Sequence, residues 1–191
     1  MNLINFNKFS GFEKSEDIFV DTGVLLAFLN EYDAWHLTVN KLFNNHIVNN
    51  PNEIHLYTHS GIINEVTHLA DKPLDSYMKA FNFGLSESDI IETAENAIIG
   101  LSEMIEQDYL EILVSSKMSS LQQIKYARHF GSTDSLIVSI LQEYGINLLT
   151  VDYRLANKIK AKSTEFGNIK NIYVTDSSYM DYQIPKKLEN V

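Results

Sequence analysis

Ile18-Phe19-Val20-Asp21-Thr22-Gly23-Val24-Leu25-Leu26 is the stretch that decides how the chain is read. Three apolar, β-favouring residues stop at an aspartate. Apolar positions at spacings of three and four then run through Thr22 to Leu29, which is the period of a helix. A strand therefore hands over to a helix at Asp21. The same handover recurs late in the chain, where the compact apolar run from Asn147 to Val151 reaches Asp152 and a helical stretch follows from Tyr153 to Lys162.

Outward from Asp21, the spacing predicts a second helix from about Ala34 to Asn45, with Trp35, Val39, Leu42 and Phe43 on one face, ended by the polar segment Asn44 to Asn52. Ile54 to Thr58 reads as a strand. A break at Ser60-Gly61 precedes an apolar helix through Ile62, Ile63, Val66 and Leu69 that contains Glu65. Residues 71–108 read as further helix, broken at Pro73 and Gly84 and restarted at Ser86-x-x-Asp89. Leu110 to Val114 is a third strand and Leu121 to Phe130 a helix. Gly131-Ser132-Thr133-Asp134 then opens another helix, with Leu136, Ile137, Ile140 and Leu141 at helical spacing. Ile172 to Thr175 is a last strand. This alternation predicts an α/β sandwich around a mainly parallel sheet. Ligand sites in such sheets lie beyond the carboxyl ends of the strands, where Asp21 and Asp152 both fall.

Composition is compatible with one domain over 1–191. Hydrophobic residues make up 45% of the 191 and aromatics 11%, with three prolines, enough for a continuous core. The absence of cysteine excludes disulfides, thiolate zinc sites, cysteine nucleophiles and iron–sulfur clusters, so any metal is held by oxygen or imidazole. The first twenty residues lack a basic region followed by an apolar core, and no apolar run approaches the roughly 18 residues of a membrane span, so a cytoplasmic protein with no membrane partner is expected. The net charge of −10 argues against binding phosphates. It is unevenly spread: residues 1–116 carry 5 basic and 18 acidic side chains, residues 117–191 carry 10 and 7. Two readings stand, a local basic surface in the later part or an acidic protein whose charge gradient says nothing.

Each acidic residue has a plain structural reading. Aspartate caps helices, and negative charge suits a helix N-terminus, so Asp21, Asp134 and Asp152 are all candidates for caps. Glu65 has less excuse. Ile62, Ile63 and Val66 surround it, and a carboxylate in such a setting is costly unless it is paired or coordinated, or unless its helix turns it to solvent.

Four segments, taken in order, resemble the PIN-domain family, which includes the ribonuclease toxins of bacterial toxin–antitoxin pairs. They are Ile18 to Leu26, then Ile63-Asn64-Glu65-Val66, then Ser132-Thr133-Asp134-Ser135-Leu136-Ile137-Val138, and Leu148-Leu149-Thr150-Val151-Asp152. The resemblance implies a PIN-like three-layer sandwich with a motif core at about 18–176, to which this chain adds an N-terminal extension, a helical enlargement at 71–95 and a C-terminal tail. It departs from the family at Gly23, where asparagine is common.

The resemblance further implies that Asp21, Glu65, Asp134 and Asp152 meet at the mouth of the sheet as catalytic residues and metal ligands. Magnesium or manganese (Mg2+ or Mn2+) would be the cofactor, since hard cations prefer oxygen donors and would relieve the repulsion of four carboxylates. The expected activity is metal-dependent endoribonuclease cleavage of single-stranded or structured RNA, with an attacking water activated at the metal. Thr22 and Thr150 are candidates to hydrogen-bond around the ligands. Arg154, Lys158 and Lys162 share a helix face and are candidate phosphate contacts, against the plain reading of a solvated helix. A homodimer and an antitoxin protein stay open as partners.

Competing patterns are weaker. Asp21-Thr22-Gly23 matches the aspartic-protease triplet, but that chemistry needs a second triplet and an all-β fold. Phosphatases of the haloacid dehalogenase type place a second aspartate where this chain has Gly23. Glu65-x-x-His68 has di-iron spacing but occurs once, and His55 and His59 read as edge-strand residues rather than zinc ligands. From a different class comes a catalytically silent PIN-like module that binds a protein or RNA partner.

Overall fold

The computed structural model describes residues 1–13, 15–48, 50, 53–82 and 84–183. Its strands are β1 (Asn2–Asn5), β2 (Glu16–Val20), β3 (Ile54–His59), β4 (Glu111–Leu113), β5 (Asn147–Thr150) and β6 (Asn171–Val174). They form one sheet in the order β1-β6-β5-β2-β3-β4, with every pairing parallel. Parallel neighbours need crossovers, and here the crossovers are helical. The helices are α1 (Thr22–Leu29), α2 (His36–Phe43), α3 (Ser60–Leu69), α4 (Lys72–Phe81), α5 (Glu87–Glu106), α6 (Lys117–Phe130), α7 (Ser132–Tyr144) and α8 (Tyr153–Ala161).

Ile18, Phe19 and Val20 of β2 are all inaccessible to solvent although successive side chains point to opposite faces. Both faces of the sheet are therefore covered, which makes the architecture a three-layer α/β sandwich. One apolar cluster joins β2 and β5 to α1, α3, α7 and α8 through Val24, Leu25, Ile62, Val66, Ile137, Ile140, Leu149 and Ile159. Among the described residues, no helix is long and apolar enough to cross a membrane.

Several sequence expectations are corrected. The N-terminal extension contributes β1, which pairs along β6 from Asn2 opposite Asn171 to Asn5 opposite Val174. The second helix does not end at Asn44 but continues as a π-helical turn over Asn44–Val48, which packs Ile47 on the core. The rest of the expected polar segment includes residues 49, 51 and 52, outside the described residues. Pro73 does not break a helix; it sits in the first turn of α4, where its missing N–H costs nothing. The expected break at Gly84 stands, since α4 ends at Asn82, left-handed at φ 49°, and α5 opens as expected at the Ser86-x-x-Asp89 capping box.

Ser60-Gly61 is the first turn of α3 rather than a break. His59 Nδ1 accepts the Gly61 N–H at 3.0 Å and caps the helix. A Cβ on Gly61 would lie 2.5 Å from Leu136 Cδ2, so the glycine lets α3 approach α7 closely. That approach sets Glu65 beside the start of α7. His59 Nε2 meets Ser115 Oγ at 2.9 Å, and β3 lies between β2 and β4, so His59 is a cap on an interior strand, not an edge residue.

Candidate functional site

Asp21 follows β2 directly, and its N–H still bonds across the sheet to the Leu149 carbonyl at 3.1 Å. The side chain is 7% exposed. Its Oδ1 accepts the Thr22 N–H at 2.7 Å, and its Oδ2 accepts the Thr150 hydroxyl at 2.5 Å. Burial penalises the charged form, these two hydrogen bonds favour it, and the neighbouring Asp134 and Asp152 carboxylates oppose it. The balance leaves the Asp21 carboxyl pushed up to about 7.

Thr150 links two of the acids. While its hydroxyl donates to Asp21, its oxygen accepts the Asp152 N–H at 2.9 Å. Asp152 caps α8: Oδ1 accepts the N–H groups of Arg154 at 2.8 Å and Leu155 at 3.0 Å, and the Arg154 guanidinium stands 3.6 Å from Oδ2. The capping expectation therefore holds for Asp152.

It does not hold for Asp134. The helix begins two residues earlier, at Ser132, so Asp134 lies inside the first turn of α7 and caps nothing. The side chain is half-buried. Among the described residues it is a carboxylate without a hydrogen-bond partner. Burial raises its proton affinity, as do Asp152 and Glu65, while Lys158 and Arg154 partly offset them.

Glu65, on α3, is half-buried and held by two hydroxyls. Thr22 Oγ1 donates to Oε2 at 2.5 Å and Thr133 Oγ1 donates to Oε1 at 3.1 Å. Thr133 does not stand out in the sequence, because Gly131-Ser132-Thr133-Asp134 reads as a run of cap-type residues. Its position next to Asp134 was the available signal.

The fold thus gathers the four sequence-selected acids at the carboxyl ends of β2 and β5 and on the helices facing them. Asp21 is within electrostatic reach of Asp134 and Asp152, and Asp134 of Asp152 and Glu65. They stop short of a formed cage: among the described residues, no three histidine or acidic side chains stand close enough to hold a metal ion. The acids are linked through shared threonines instead: Thr150 bonds both Asp21 and Asp152, and Thr22 bonds both Asp21 and Glu65. The donor chemistry suits a hard cation, being all oxygen with negative charge that Arg154 and Lys158 offset only in part.

The three candidate cations separate. Arg154 and Lys158 face the acids closely enough to act on Asp134. Lys162 lies just past α8 and pairs with Glu165 at 3.6 Å. Gly23 has a packing reason, because a Cβ there would sit 2.8 Å from Val151 Cγ2. Any side chain at this position would press on the Val151 side chain, next to Asp152. Beside Asp152 opens a pocket of about 600 Å3 lined by Trp35, Val151, Tyr153, Arg154 and Asp176 among others.

No protein-family model matches the chain, and no curated protein matches it at a significant level.

Proposed function

We propose that this chain is a divalent-metal-dependent ribonuclease with a PIN-like site. The observation that carries the reading is a buried carboxyl, Asp21, at the carboxyl end of a central parallel strand, with Asp134 and Asp152 raising its proton affinity and Glu65 coupled to Asp134. Such a group is costly to bury uncompensated, and perturbed carboxyls of this kind cluster at functional sites. Asp21, Glu65, Asp134 and Asp152 would hold magnesium or manganese, which would supply Lewis acidity toward a phosphodiester and activate a water.

The chain's own residues supply position. Thr150 fixes Asp21 and, through the Asp152 N–H, the start of α8. Thr22 and Thr133 orient Glu65. Asp134 is the carboxylate whose oxygens are uncommitted and can turn toward a ligand. Arg154 and Lys158 lie on the approach and favour an anionic substrate against an otherwise repulsive surface.

Purified protein incubated with mixed RNA and magnesium or manganese tests the reading beside Asp21→Asn. Metal-dependent cleavage absent from the variant is expected. Equal cleavage by both proteins points to contamination or to another site. A second reading, a PIN-like binding module without turnover, is favoured by one observation, the failure of three acids to converge. Thermal unfolding with added manganese separates the two: a stabilising shift lost in Asp21→Asn and Asp134→Asn supports the metal site, and no shift supports the silent module.

A further inference from the structure

We propose that the pocket beside Asp152 seats one nucleobase of a single-stranded nucleic acid, stacked on Trp35 and Tyr153, with the adjoining phosphate held outside by Arg154 and Lys158. This deepens the reading of the acidic cluster as a phosphodiester-cleaving site and rests on it for the direction of the strand.

The pocket holds about 600 Å3, within the size of ordinary ligand sites. Two of its walls are aromatic. Trp35 packs partly against the core and lies just before α2; its backbone N–H donates to Asp33 Oδ1 at 2.8 Å, and the preceding carbonyl of Ala34 accepts the Asp181 N–H at 2.8 Å. The indole is therefore carried on backbone tied down from two sides. Tyr153 opens α8 and is 51% exposed, although the helix behind it buries Leu155, Ala156 and Ile159. A single exposed aromatic is ordinary on a protein surface. Two aromatics sharing a pocket with an arginine, next to a carboxylate of the acidic cluster, make the surface on which unstacked bases are seated.

Charge decides which part of the ligand enters. Asp152 and Asp176 both line the pocket. The Asp176 carboxyl is held below its ordinary range by hydrogen bonds from Ser178, so it stays ionised. Arg154 pairs with Asp152 at 3.6 Å, so the lining keeps one carboxylate in excess, which disfavours a phosphate in the interior but not an uncharged base. Arg154, which lines the pocket with its side chain 78% exposed, is the cation at its mouth, and Lys158, one turn further along α8, acts on Asp134 beside it. A strand lying with its base in the pocket and its phosphate at the rim passes beside Asp152 and so reaches the acidic cluster.

Trp35 is the chain's one tryptophan, so tryptophan emission, excited apart from the ten tyrosines, reads this pocket. The experiment titrates the full-length protein, in chelator to prevent cleavage, with a short single-stranded oligoribonucleotide, its deoxyribose counterpart and an abasic oligomer with the same phosphates. Saturable quenching by the base-bearing oligomers and none by the abasic one is expected, with affinity falling about tenfold in Tyr153→Ala and kept in Tyr153→Phe. Preference for the ribose strand identifies RNA as the source of the base, and equal binding identifies any single strand. Quenching by the abasic oligomer, or binding unchanged in Tyr153→Ala, overturns the proposal. Failure here is distinguishable from failure of the nuclease reading: Asp21-dependent cleavage without quenching sinks the base pocket alone, whereas quenching without cleavage leaves the pocket standing and removes the enzyme.

Discussion

The Thr150 hydroxyl donates to Asp21 Oδ2 at 2.5 Å while accepting the Asp152 N–H, so one side chain fixes two acids that lie 131 positions apart. Thr150→Val keeps the shape and removes both bonds. The Asp21 carboxyl, already near 7, should then rise further, because a hydrogen bond favouring its charged form is gone. Stability should fall by about 1–3 kcal/mol through the unsatisfied buried groups. Carboxyl titration by NMR checks the first outcome and urea unfolding the second. An Asp21 titration unmoved in the valine variant would show that the hydroxyl does not tune the site.

A pH dependence follows from the same residue. Asp21 titrates near 3.8 in the unfolded chain and about 7 in the folded one, so between those values the folded state binds the extra proton. Stability of the metal-free protein therefore declines as pH rises from about 4 to 7, by up to ~1.4 kcal/mol per pH unit from this group, and levels off above. Asp21→Asn stays neutral throughout. It should unfold at a higher temperature than the parent at pH 8 in chelator, with the advantage shrinking toward pH 5. A variant no more stable than the parent at pH 8 contradicts the raised carboxyl.

The sequence was most legible where local pattern and fold agree. Thr22 to Leu29 is helical to the residue, and Asp21 and Asp152 stand at strand ends as the apolar runs before them implied. Long-range contacts were not legible. Asn2–Asn5 offers only two apolar residues between asparagines, and its strand character comes from pairing with β6. Gly61 looked like a break because its close approach to Leu136 is a tertiary contact between α3 and α7. Asp134 looked like a cap because it ends a run of cap-type residues, but the helix starts at Ser132 behind Gly131, with no side-chain cap. The sequence singled out the four acids, but not that Thr22 would bond both Asp21 and Glu65 and Thr150 both Asp21 and Asp152, because those links cross between elements far apart in the chain.

Gly23 and Val151 offer a test of packing at the site. Gly23→Ala places a methyl 2.8 Å from Val151 Cγ2, against a β-branched side chain with little freedom to turn away. The expected cost is about 1–3 kcal/mol. Val151→Ala makes room, so the double variant should recover much of that loss, a coupling readable in a double-mutant cycle by denaturant unfolding. Independent, additive costs would mean that the glycine is there for another reason.

At the opposite end of the same strands, Glu16 tests whether a buried carboxylate outside the site is purely structural. It is 5% exposed and accepts the Tyr173 hydroxyl at 2.5 and 2.7 Å, Asn147 Nδ2 at 2.8 Å and the Glu13 N–H at 3.0 Å. These bonds tie β2, β5 and β6 together at their starts. Burial, reinforced by Glu16, raises the Tyr173 hydroxyl far above its ordinary range, so it stays a donor. Tyr173→Phe and Glu16→Gln should each cost about 1–3 kcal/mol, since each leaves part of a charge-assisted buried network unmatched. Members of one network lose less together than separately, so the double variant should cost less than the sum. RNA cleavage and manganese stabilisation should survive in both singles below their unfolding temperatures. Loss of either in a folded Tyr173→Phe protein would tie this network to the acidic cluster.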